Sequence, residues 1–448
     1  MKLPPTLAVV AAMSVIMGAC GDGLWSATTG TTPVARESST TTTAPRAVAP
    51  APQPDVVLTG AEVLADTGFA PLDGKRVGLI ANHTSLVRGT HLIDVLDAAP
   101  NVELEAVFAP EHGVRGTEGA GTGIDDETDP ATGVRVLSLY GETKKPTPEM
   151  LAGLDVVVYD LQDVGARFYT FISTMGLAMQ AAAEAGVGFV VLDRPDPTGG
   201  GPSAGFVLEP ELVSFIGQYP IPAAYGLTPG ELALAIEGEG WIDGLEDLDL
   251  EVVEMSGWSR GMTWDATHLG WVPPSPGLPG PESAFAYPGT VLLEATSISY
   301  GGGTDDTFTV AGAPWADGSL LAADLDGRGL AGVRFEPLDF VPRPLPGRSD
   351  DPRLNGERLS GVRIVITDEV VMDPVAVGVH LLEAFHTAAL EAGIDDLIDR
   401  PRTFDLLAGT PRLREMLVEG ARADAIVAAW REEAAAFDAL RSPYELYS

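Results

Sequence analysis

The sequence predicts an α/β protein built on a Rossmann-like, mostly parallel sheet, followed by a smaller C-terminal α/β domain. Short runs rich in β-branched residues recur between segments with helical spacing, an interleaving typical of parallel sheets. These runs show little alternation between apolar and polar residues, as expected for strands covered on both faces. The chain has 448 residues, of which 45% are hydrophobic, and is therefore long enough for two folded units.

The first 20 residues have the composition of a bacterial lipoprotein signal. Met1-Lys2 precedes a mostly apolar run at 7–17, and Gly18-Ala19 leads into Cys20, the single cysteine of the chain. The run is shorter than a membrane-spanning helix requires. An ordinary signal peptide with an incidental cysteine is the alternative. We expect lipid modification of Cys20 and an extracytoplasmic location in the cell envelope, with the membrane contacted through the lipid anchor only.

Residues 21–55 are rich in threonine, serine, alanine and proline, a composition that cannot build a packed core. This segment therefore predicts a disordered tether that holds the folded part away from a membrane. With one cysteine in the chain, disulfide bonds cannot stabilise that folded part.

The charge balance is strongly acidic, with 27 Lys and Arg against 64 Asp and Glu and a formal net charge of -37. Such a surface repels nucleic-acid phosphates, so we expect no nucleic-acid partner. The acidity indicates solubility and does not identify a substrate.

The folded part begins near residue 56. Its predicted strands occupy residues 75–82, 104–109, 134–140, 155–160 and 188–193, with an alanine-rich helix at 174–186 that ends at a glycine. Thr228-Pro229 has the pattern of an N-cap followed by proline at the first helical position. A proline-rich stretch at 272–281 is a plausible domain junction, so we expect domains at 56–280 and 281–448. The second domain contains a strand at 361–367 and helices at about 374–392 and 421–440.

Polar residues follow several of the predicted parallel strands, where open α/β sheets bind their ligands. They are Asn82, Glu111, Tyr140, Asp160 with Asp163, and Asp193 with Arg194. The alternative for some of them is a structural role as helix caps or turn residues.

Glu111 is the strongest catalytic candidate. It follows an apolar strand and Pro110, and it precedes His112-Gly113, where glycine permits a tight turn. A carboxylate in such a place can serve as a general acid or base, and His112 can tune it or bind substrate. The alternative is a structural pair that caps the next segment.

The loop at 161–170 is the second candidate, because it brings Asp163, Arg167 and Tyr169 close together after a strand. Such a set can bind sugar hydroxyls, with the ring stacking and the arginine gripping a carboxylate. An internal ion pair between Asp163 and Arg167 is the competing interpretation.

Other chemistries fit the sequence poorly. It contains no Gly-x-Ser-x-Gly elbow and no His-Glu-x-x-His motif, and its histidines form no convincing metal-ligand set. The glycine runs at 199–201 and 301–303 do not join a strand to a helix with dinucleotide-binding spacing. We therefore expect neither a metal nor a cofactor.

Several motifs, taken in order, resemble the NamZ-type exo-β-N-acetylmuramidases, a family formerly catalogued as a domain of unknown function. They are Ala109-Pro-Glu-His-Gly-Val-Arg-Gly116, Thr128-Asp-Pro130, Leu137-Ser-Leu-Tyr-Gly141, Lys145-Pro-Thr-Pro148, Gln162-Asp-Val-Gly-Ala-Arg-Phe-Tyr169, Leu192-Asp-Arg-Pro195, Tyr219-Pro-Ile-Pro222, Tyr287-Pro-Gly289, Phe404-Asp405 and Tyr444-Glu-Leu-Tyr447. The resemblance covers roughly residues 57–448.

The resemblance implies a glycoside hydrolase that releases N-acetylmuramic acid, or a related sugar, from the non-reducing end of peptidoglycan fragments. It implies that Glu111 is the catalytic acid/base, and Asp163 is the best-placed second carboxylate. Together with the strand-end positions, it leads us to expect substrate contacts from a larger set of side chains. That set comprises Asn82, His112, Arg115, Tyr140, Arg167, Tyr169, Asp193 and Arg194.

The chain departs from the family pattern in three loops. Ser203-Ala204-Gly205-Phe206 stands where the family usually has Val-Glu-Gly-Pro, and Ala224-Tyr225 stands in place of Arg-His. Ser299-Tyr300-Gly-Gly302-Gly-Thr-Asp305 replaces the usual Ser-Glu-Gly-Arg-Gly-Thr-Thr. Lost arginines weaken the binding of an anionic group such as the lactyl carboxylate of muramic acid. Either this member cleaves a different sugar, or it is a tethered, non-catalytic glycan-binding lipoprotein.

Overall fold

A computed structural model describes residues 56–115 and 126–448, whose strands form three sheets. In chain order the strands are β1 (Arg76–Ala81), β2 (Leu86–Val87), β3 (Thr90–His91), β4 (Glu103–Ala109), β5 (Glu127–Thr128), β6 (Arg135–Ser138), β7 (Val156–Asp160), β8 (Gly188–Leu192), β9 (Leu250–Val253), β10 (Val310–Ala313), β11 (Val333–Phe340) and β12 (Leu359–Ile366). The predicted signal segment, Cys20 and the tether lie outside the described residues.

The largest sheet has seven strands in the order β5-β6-β4-β1-β7-β8-β9. Its neighbouring strands are parallel except for β5 with β6. The predicted Rossmann-like, mostly parallel sheet is therefore confirmed. β5 and β9 were not predicted, because β5 has two exposed residues and β9 has one buried residue, at its end.

The helices surround these sheets. They are α1 (Gly60–Asp66), α2 (Leu92–Asp97), α3 (Pro148–Leu151), α4 (Thr170–Ala185), α5 (Pro229–Gly238), α6 (Trp264–Thr267), α7 (Pro281–Thr290), α8 (Gly318–Gly327), α9 (Pro374–Glu391), α10 (Pro401–Ala408), α11 (Arg412–Val418) and α12 (Ala423–Arg441). Short 3₁₀ helices occupy Ala70–Leu72, Pro210–Leu212, Val291–Ala295 and Ser442–Tyr444. Within 56–115 and 126–448, no helix combines the length and apolarity that a bilayer crossing needs.

β7 illustrates why the strand runs lack alternation. All of its residues are buried. Val158 joins the apolar cluster beneath α1 and α2, whereas Val157 and Tyr159 join the cluster beneath α4. Successive side chains point to opposite faces of a sheet, so a strand with helices on both sides needs apolar residues throughout.

Local signals fixed several helix ends as expected. Thr228 accepts a hydrogen bond from the Glu231 amide in a capping box, with Pro229 at the first helical position. α4 ends at Gly186, whose φ of 65° is left-handed. α4 begins at Thr170 rather than 174, since its N-cap Tyr169 makes no side-chain capping bond that the sequence could announce.

The C-terminal part contains an antiparallel sheet in the order β10-β12-β11, with β12 close to the predicted strand. Helices α7 and α9 cross closely at Gly289 and Gly378. A Cβ added at Gly378 would lie 2.4 Å from the Gly289 carbonyl oxygen, so the crossing requires glycine there. Apolar packing continues between the two predicted domains, where Phe206 and Trp430 rings are 5.5 Å apart. The division at residues 280 and 281 stays a prediction.

Candidate active site

Glu111 lies in a tight turn just beyond the carboxyl end of β4. The Gly113 amide donates to the Pro110 carbonyl over 3.1 Å, and His112 and Gly113 have φ values of 73° and 74°. A positive φ is uncommon for a non-glycine residue such as His112, which is buried. The turn leaves Glu111 half-buried at the edge of the sheet.

Two hydroxyl groups lie beside the Glu111 carboxylate. Thr170 Oγ1 donates to Glu111 Oε2 over 2.8 Å, and the Tyr140 hydroxyl lies within electrostatic reach of the same carboxylate. Burial raises the pKa of Tyr140 well above its usual range, and the nearby Glu111 carboxylate raises it further. Tyr140 follows β6, which neighbours β4, and Thr170 begins α4 after β7, which lies beyond β1 on the other side of β4.

An ammonium group and two aromatic rings extend this group of residues. Lys144 Nζ lies 3.9 Å from the Phe215 ring centroid and 5.0 Å from that of Tyr140. Burial lowers the pKa of Lys144, and the Glu111 charge opposes that effect. Lys144 and Phe215 are half-buried, like Glu111, so solvent reaches all three.

Tyr169 and Tyr287 connect the two candidate carboxylates. Their ring centroids are 6.1 Å apart. Burial raises the pKa of each phenol, and the charges of Glu111 and Asp163 add to the effect on both. Glu111 and Asp163 therefore lie within electrostatic reach of the same pair of hydroxyls.

Asp163 is buried, and one of its carboxyl oxygens is committed internally. Oδ2 accepts from the Gly165 amide over 2.8 Å and from the Tyr225 hydroxyl. Within the described residues, Oδ1 is buried without a hydrogen-bond partner. Burial raises the pKa of Asp163 to about 7, although the Tyr225 hydrogen bond acts in the opposite direction.

Arg167 does not pair with Asp163. Its guanidinium is fully buried and donates to the carbonyl oxygens of Phe206, Ile221 and Leu407 at 2.8, 3.0 and 2.7 Å. Burial lowers its pKa to about 9, so the group remains charged at neutral pH. In place of the substrate contact and the ion pair that the sequence suggested, Arg167 joins two loops, at Phe206 and Ile221, to the last turn of α10 at Leu407.

Asp193 and Arg194 are also engaged within the protein. The Asp193 carboxylate accepts hydrogen bonds from Thr228 Oγ1 over 2.7 Å and from the Tyr447 hydroxyl over 2.6 Å. It also accepts hydrogen bonds from two backbone amides. Arg194 binds both oxygens of Asp160 at 2.6 and 2.9 Å. These residues are buried, which favours the cap and turn interpretation over the expected substrate contacts.

Asn82 and Arg115 likewise make local contacts. Asn82 Oδ1 accepts from the Thr84 amide and hydroxyl at 2.9 and 2.6 Å, which forms a closed turn after β1. Arg115 binds Asp129 at 2.9 Å and Asp94 at 3.2 Å. The expected polar edge therefore divides into side chains bonded within the protein, most of them buried, and the half-buried residues around Glu111.

Sequence reasoning missed several residues of this site. Lys144, Thr170 and Tyr287 lie within or beside the family motifs and could have been found there, whereas nothing in the sequence singled out Phe215. Among the described residues, no group of three or more His, Cys, Asp or Glu side chains could hold a metal ion.

The altered loops lie partly along a separate cavity of about 660 Å³. Ala204 and Ala224 line it and exchange backbone hydrogen bonds of 2.9 Å, whereas Glu111 and Asp163 are not lining residues. Tyr300 stacks on Phe308 with ring centroids 5.1 Å apart, and a Cβ at Gly302 would lie 3.1 Å from the Tyr300 ring.

Two family models match the chain. One is described as exo-β-N-acetylmuramidase NamZ, N-terminal, and matches residues 77–282. The other is described as exo-β-N-acetylmuramidase NamZ, C-terminal, and matches residues 285–447. The peptidoglycan β-N-acetylmuramidase NamZ of Bacillus subtilis (strain 168) is 41% identical over 395 residues, which cover 87% of this chain and 91% of that protein.

Two crystal structures of DUF1343 family proteins from Bacteroides fragilis NCTC 9343 have a similar fold. One superposes with a TM-score of 0.81 at 39% identity and covers 88% of this chain and 100% of its own. The other has a TM-score of 0.70 at 31% identity, with coverage of 88% and 99%.

Proposed function

The chain belongs to the NamZ family of exo-β-N-acetylmuramidases, and we propose that it is a glycosidase that releases terminal N-acetylmuramic acid, or a related sugar, from peptidoglycan-type glycans. The observation that carries the proposal is the half-buried Glu111 carboxylate, which the Thr170 hydroxyl orients beside Tyr140 and other aromatic rings. A glycosidase needs a carboxyl group that reaches the glycosidic oxygen and rings that bind a sugar face.

In this proposal Glu111 is the acid/base that protonates the leaving oxygen and afterwards activates water. The Thr170 hydroxyl orients the carboxylate, and holding a reacting group in a fixed orientation supplies a large part of the rate enhancement. Phe215 and Tyr287 are half-buried and offer ring faces to the sugar. His112, immediately after Glu111, supports the turn that carries the carboxylate.

Asp163 is the proposed second carboxylate. It shares the neighbouring tyrosines with Glu111, and its Oδ1 is buried with no hydrogen-bond partner among the described residues. In its ionised form it stabilises the positive charge that develops on the sugar ring during cleavage. The Tyr169 hydroxyl lies within electrostatic reach of both carboxylates and completes this side of the site.

The test is hydrolysis of a panel of chromogenic N-acetylmuraminides, N-acetylglucosaminides and other glycosides by the purified protein. We expect turnover of the muraminide and a loss of at least about 1,000-fold in Glu111→Gln, as is typical for removal of a catalytic group. Glu142→Gln changes an exposed glutamate on the following loop and serves as the matched control. Full activity in Glu111→Gln contradicts the proposed role.

The environment of Asp163 favours a second candidate function, a tethered glycan-binding protein without catalysis. Tyr225 stands where the family usually has histidine, and its hydroxyl occupies Asp163 Oδ2. A carboxyl that is bound internally is less available for chemistry. Calorimetric binding of glycan fragments without product formation supports this function, and turnover that Glu111→Gln abolishes excludes it.

We also propose that the protein is exported and anchored to the membrane by lipid on Cys20. The support comes from the sequence alone, in the apolar run at 7–17 and the small residues before the cysteine. Metabolic labelling with a fatty-acid analogue should mark the wild type and not Cys20→Ser. An unlabelled wild-type protein argues against the anchor.

A further inference from the structure

The arginines that the sequence offered for binding an anionic sugar are all engaged with the protein itself. Arg167 binds three carbonyl oxygens, Arg194 binds Asp160, and Arg115 binds Asp94 and Asp129. N-acetylmuramic acid carries a lactyl carboxylate on O3, and the chain has a formal net charge of -37. Since like charges repel, recognition of this anion needs a local cation at the site.

We propose that Lys144 is the specificity residue that binds the lactyl carboxylate of the muramic acid substrate. This inference rests on the proposed function and identifies how the same site distinguishes muramic acid from uncharged sugars. It assigns to Lys144 the part that these arginines, already bound to protein groups, do not play.

The position of Lys144 supports this assignment. Its ammonium lies over the Phe215 and Tyr140 rings at 3.9 and 5.0 Å, and Glu111 lies within electrostatic reach of both Lys144 and Tyr140. The ammonium therefore stands beside the carboxylate that acts at the anomeric oxygen. The lactyl group leaves the sugar ring two ring atoms from the anomeric carbon, so one sugar can span both groups.

Within 56–115 and 126–448, the Lys144 ammonium has no carboxylate partner and can bind one from a substrate. No described carboxylate comes within 4 Å of Nζ in an ion pair, although the side chain is half-buried. Partial burial costs solvation of the ammonium, and the ring faces compensate for only part of that cost. Burial accordingly lowers the pKa of Lys144, while Glu111 raises it. A substrate carboxylate would supply the missing partner.

The neighbouring lysine provides a matched comparison. Lys145 Nζ binds Gln180 at 2.9 Å and Glu184 at 2.8 Å, both on α4. The two lysines are adjacent in sequence and similarly exposed, but only Lys144 lies over the rings beside Glu111. Replacement of Lys145 therefore controls for the loss of a positive charge from this loop.

The test compares a chromogenic N-acetylmuraminide with its lactyl methyl ester, which differs by one methyl group and carries no charge. The wild type should prefer the free acid by about 10- to 100-fold in kcat/KM, the range expected for hydrogen bonds between charged groups. Lys144→Met should raise KM for the acid and remove the preference, with a much smaller change in kcat/KM for the ester. Lys144→Arg should retain most of the preference, and Lys145→Met should retain all of it.

The outcomes separate this inference from the proposed function. An unchanged preference for the acid in Lys144→Met overturns the inference and leaves the glycosidase intact, as does an equal loss on both substrates. If the wild type hydrolyses neither substrate, the proposed function fails. Calorimetric binding of N-acetylmuramic acid and N-acetylglucosamine then applies the same comparison, and equal effects of Lys144→Met on both sugars overturn the inference.

Discussion

Replacement of Tyr225 by phenylalanine removes one hydroxyl from a buried pair with Asp163. Both residues are almost fully enclosed, and the Tyr225 hydroxyl donates to Asp163 Oδ2. The Gly165 amide, at 2.8 Å from the same oxygen, is unaffected by the substitution. The variant therefore changes one hydrogen bond to the carboxyl group and leaves its burial in place.

The expected magnitude follows from that hydrogen bond. Burial raises the pKa of Asp163 to about 7, and the Tyr225 bond is the largest influence that lowers it. A hydrogen bond to a charged group contributes about 1.5–3 kcal/mol, and 1.36 kcal/mol corresponds to about one pKa unit. Tyr225→Phe should therefore raise the pKa of Asp163 by about one to two units.

The pH dependence of activity has a definite sign. If ionised Asp163 is the second carboxylate, the acidic limb of kcat/KM lies near pH 7 in the wild type. Tyr225→Phe should move this limb upward by about one to two units, lower the rate at pH 7 and restore it at higher pH. Titration of aspartate Cγ by ¹³C NMR gives the pKa of Asp163 directly.

Stability should respond through the same group. The folded pKa of Asp163 is raised above its usual 3.8, so its contribution to the free energy of unfolding is present at acid pH and lost as pH rises through about 7. Tyr225→Phe extends this loss to higher pH. The two proteins should therefore differ more in unfolding free energy at pH 9 than at pH 5.

Tyr219→Phe is the matched control, because Tyr219 is equally buried and donates to the Ile172 carbonyl at 3.0 Å. It should cost stability without moving the acidic limb. If Tyr225→Phe moves the NMR pKa of Asp163 and leaves the acidic limb in place, Asp163 is not the group that limits the rate. If the NMR pKa does not move, the reasoning from the hydrogen bond is refuted.

Three further substitutions test the division between structural and active residues. Arg167→Met removes the guanidinium donor from three carbonyls, of which Ile221 still accepts from the Leu208 amide, and should lower the free energy of unfolding by about 3–5 kcal/mol, measured by denaturant titration; a change below about 1 kcal/mol contradicts the structural role. Asp193→Asn should cost about 2–4 kcal/mol in the same measurement, because a carboxylate that accepts four hydrogen bonds is replaced by an amide; wild-type stability would speak against it. Thr170→Val should lower kcat about 5- to 30-fold with little change in KM or Tm, because the isosteric side chain no longer orients Glu111; an unaltered kcat would show that this contact is dispensable.

Exposure separates the two groups of polar residues at the sheet edge. The residues at the ends of β1, β7 and β8 are buried and bonded within the protein, whereas those around Glu111 are half-buried. A buried polar group needs partners from the chain, but a partly exposed one can exchange solvent for a ligand. The strand-end rule thus locates a site, and exposure selects most of its members. Asp163 is the exception, because it is buried and its Oδ1 has no hydrogen-bond partner among the described residues.

The sequence by itself determined five strands of the seven-stranded sheet, several helix ends and the turn at Glu111. Those features follow from local patterns, such as apolar runs, Thr228-Pro229 at a helix start and glycine at Gly186. Motifs in order also predicted the family, since each is a short contiguous string. The position of Glu111 beyond β4 required nothing more than the end of an apolar strand.

Only the tertiary structure decided which polar residues remain available to a substrate. The partner of Asp193 at Tyr447 is 254 residues away, and that of Arg167 at Leu407 is 240 residues away. No local pattern encodes such pairings, because they depend on how the C-terminal helices return to the parallel sheet. The contact between Lys144 and Phe215 is also tertiary, because the two residues lie in separate loops of the chain. The sequence therefore did not predict the cation beside Glu111.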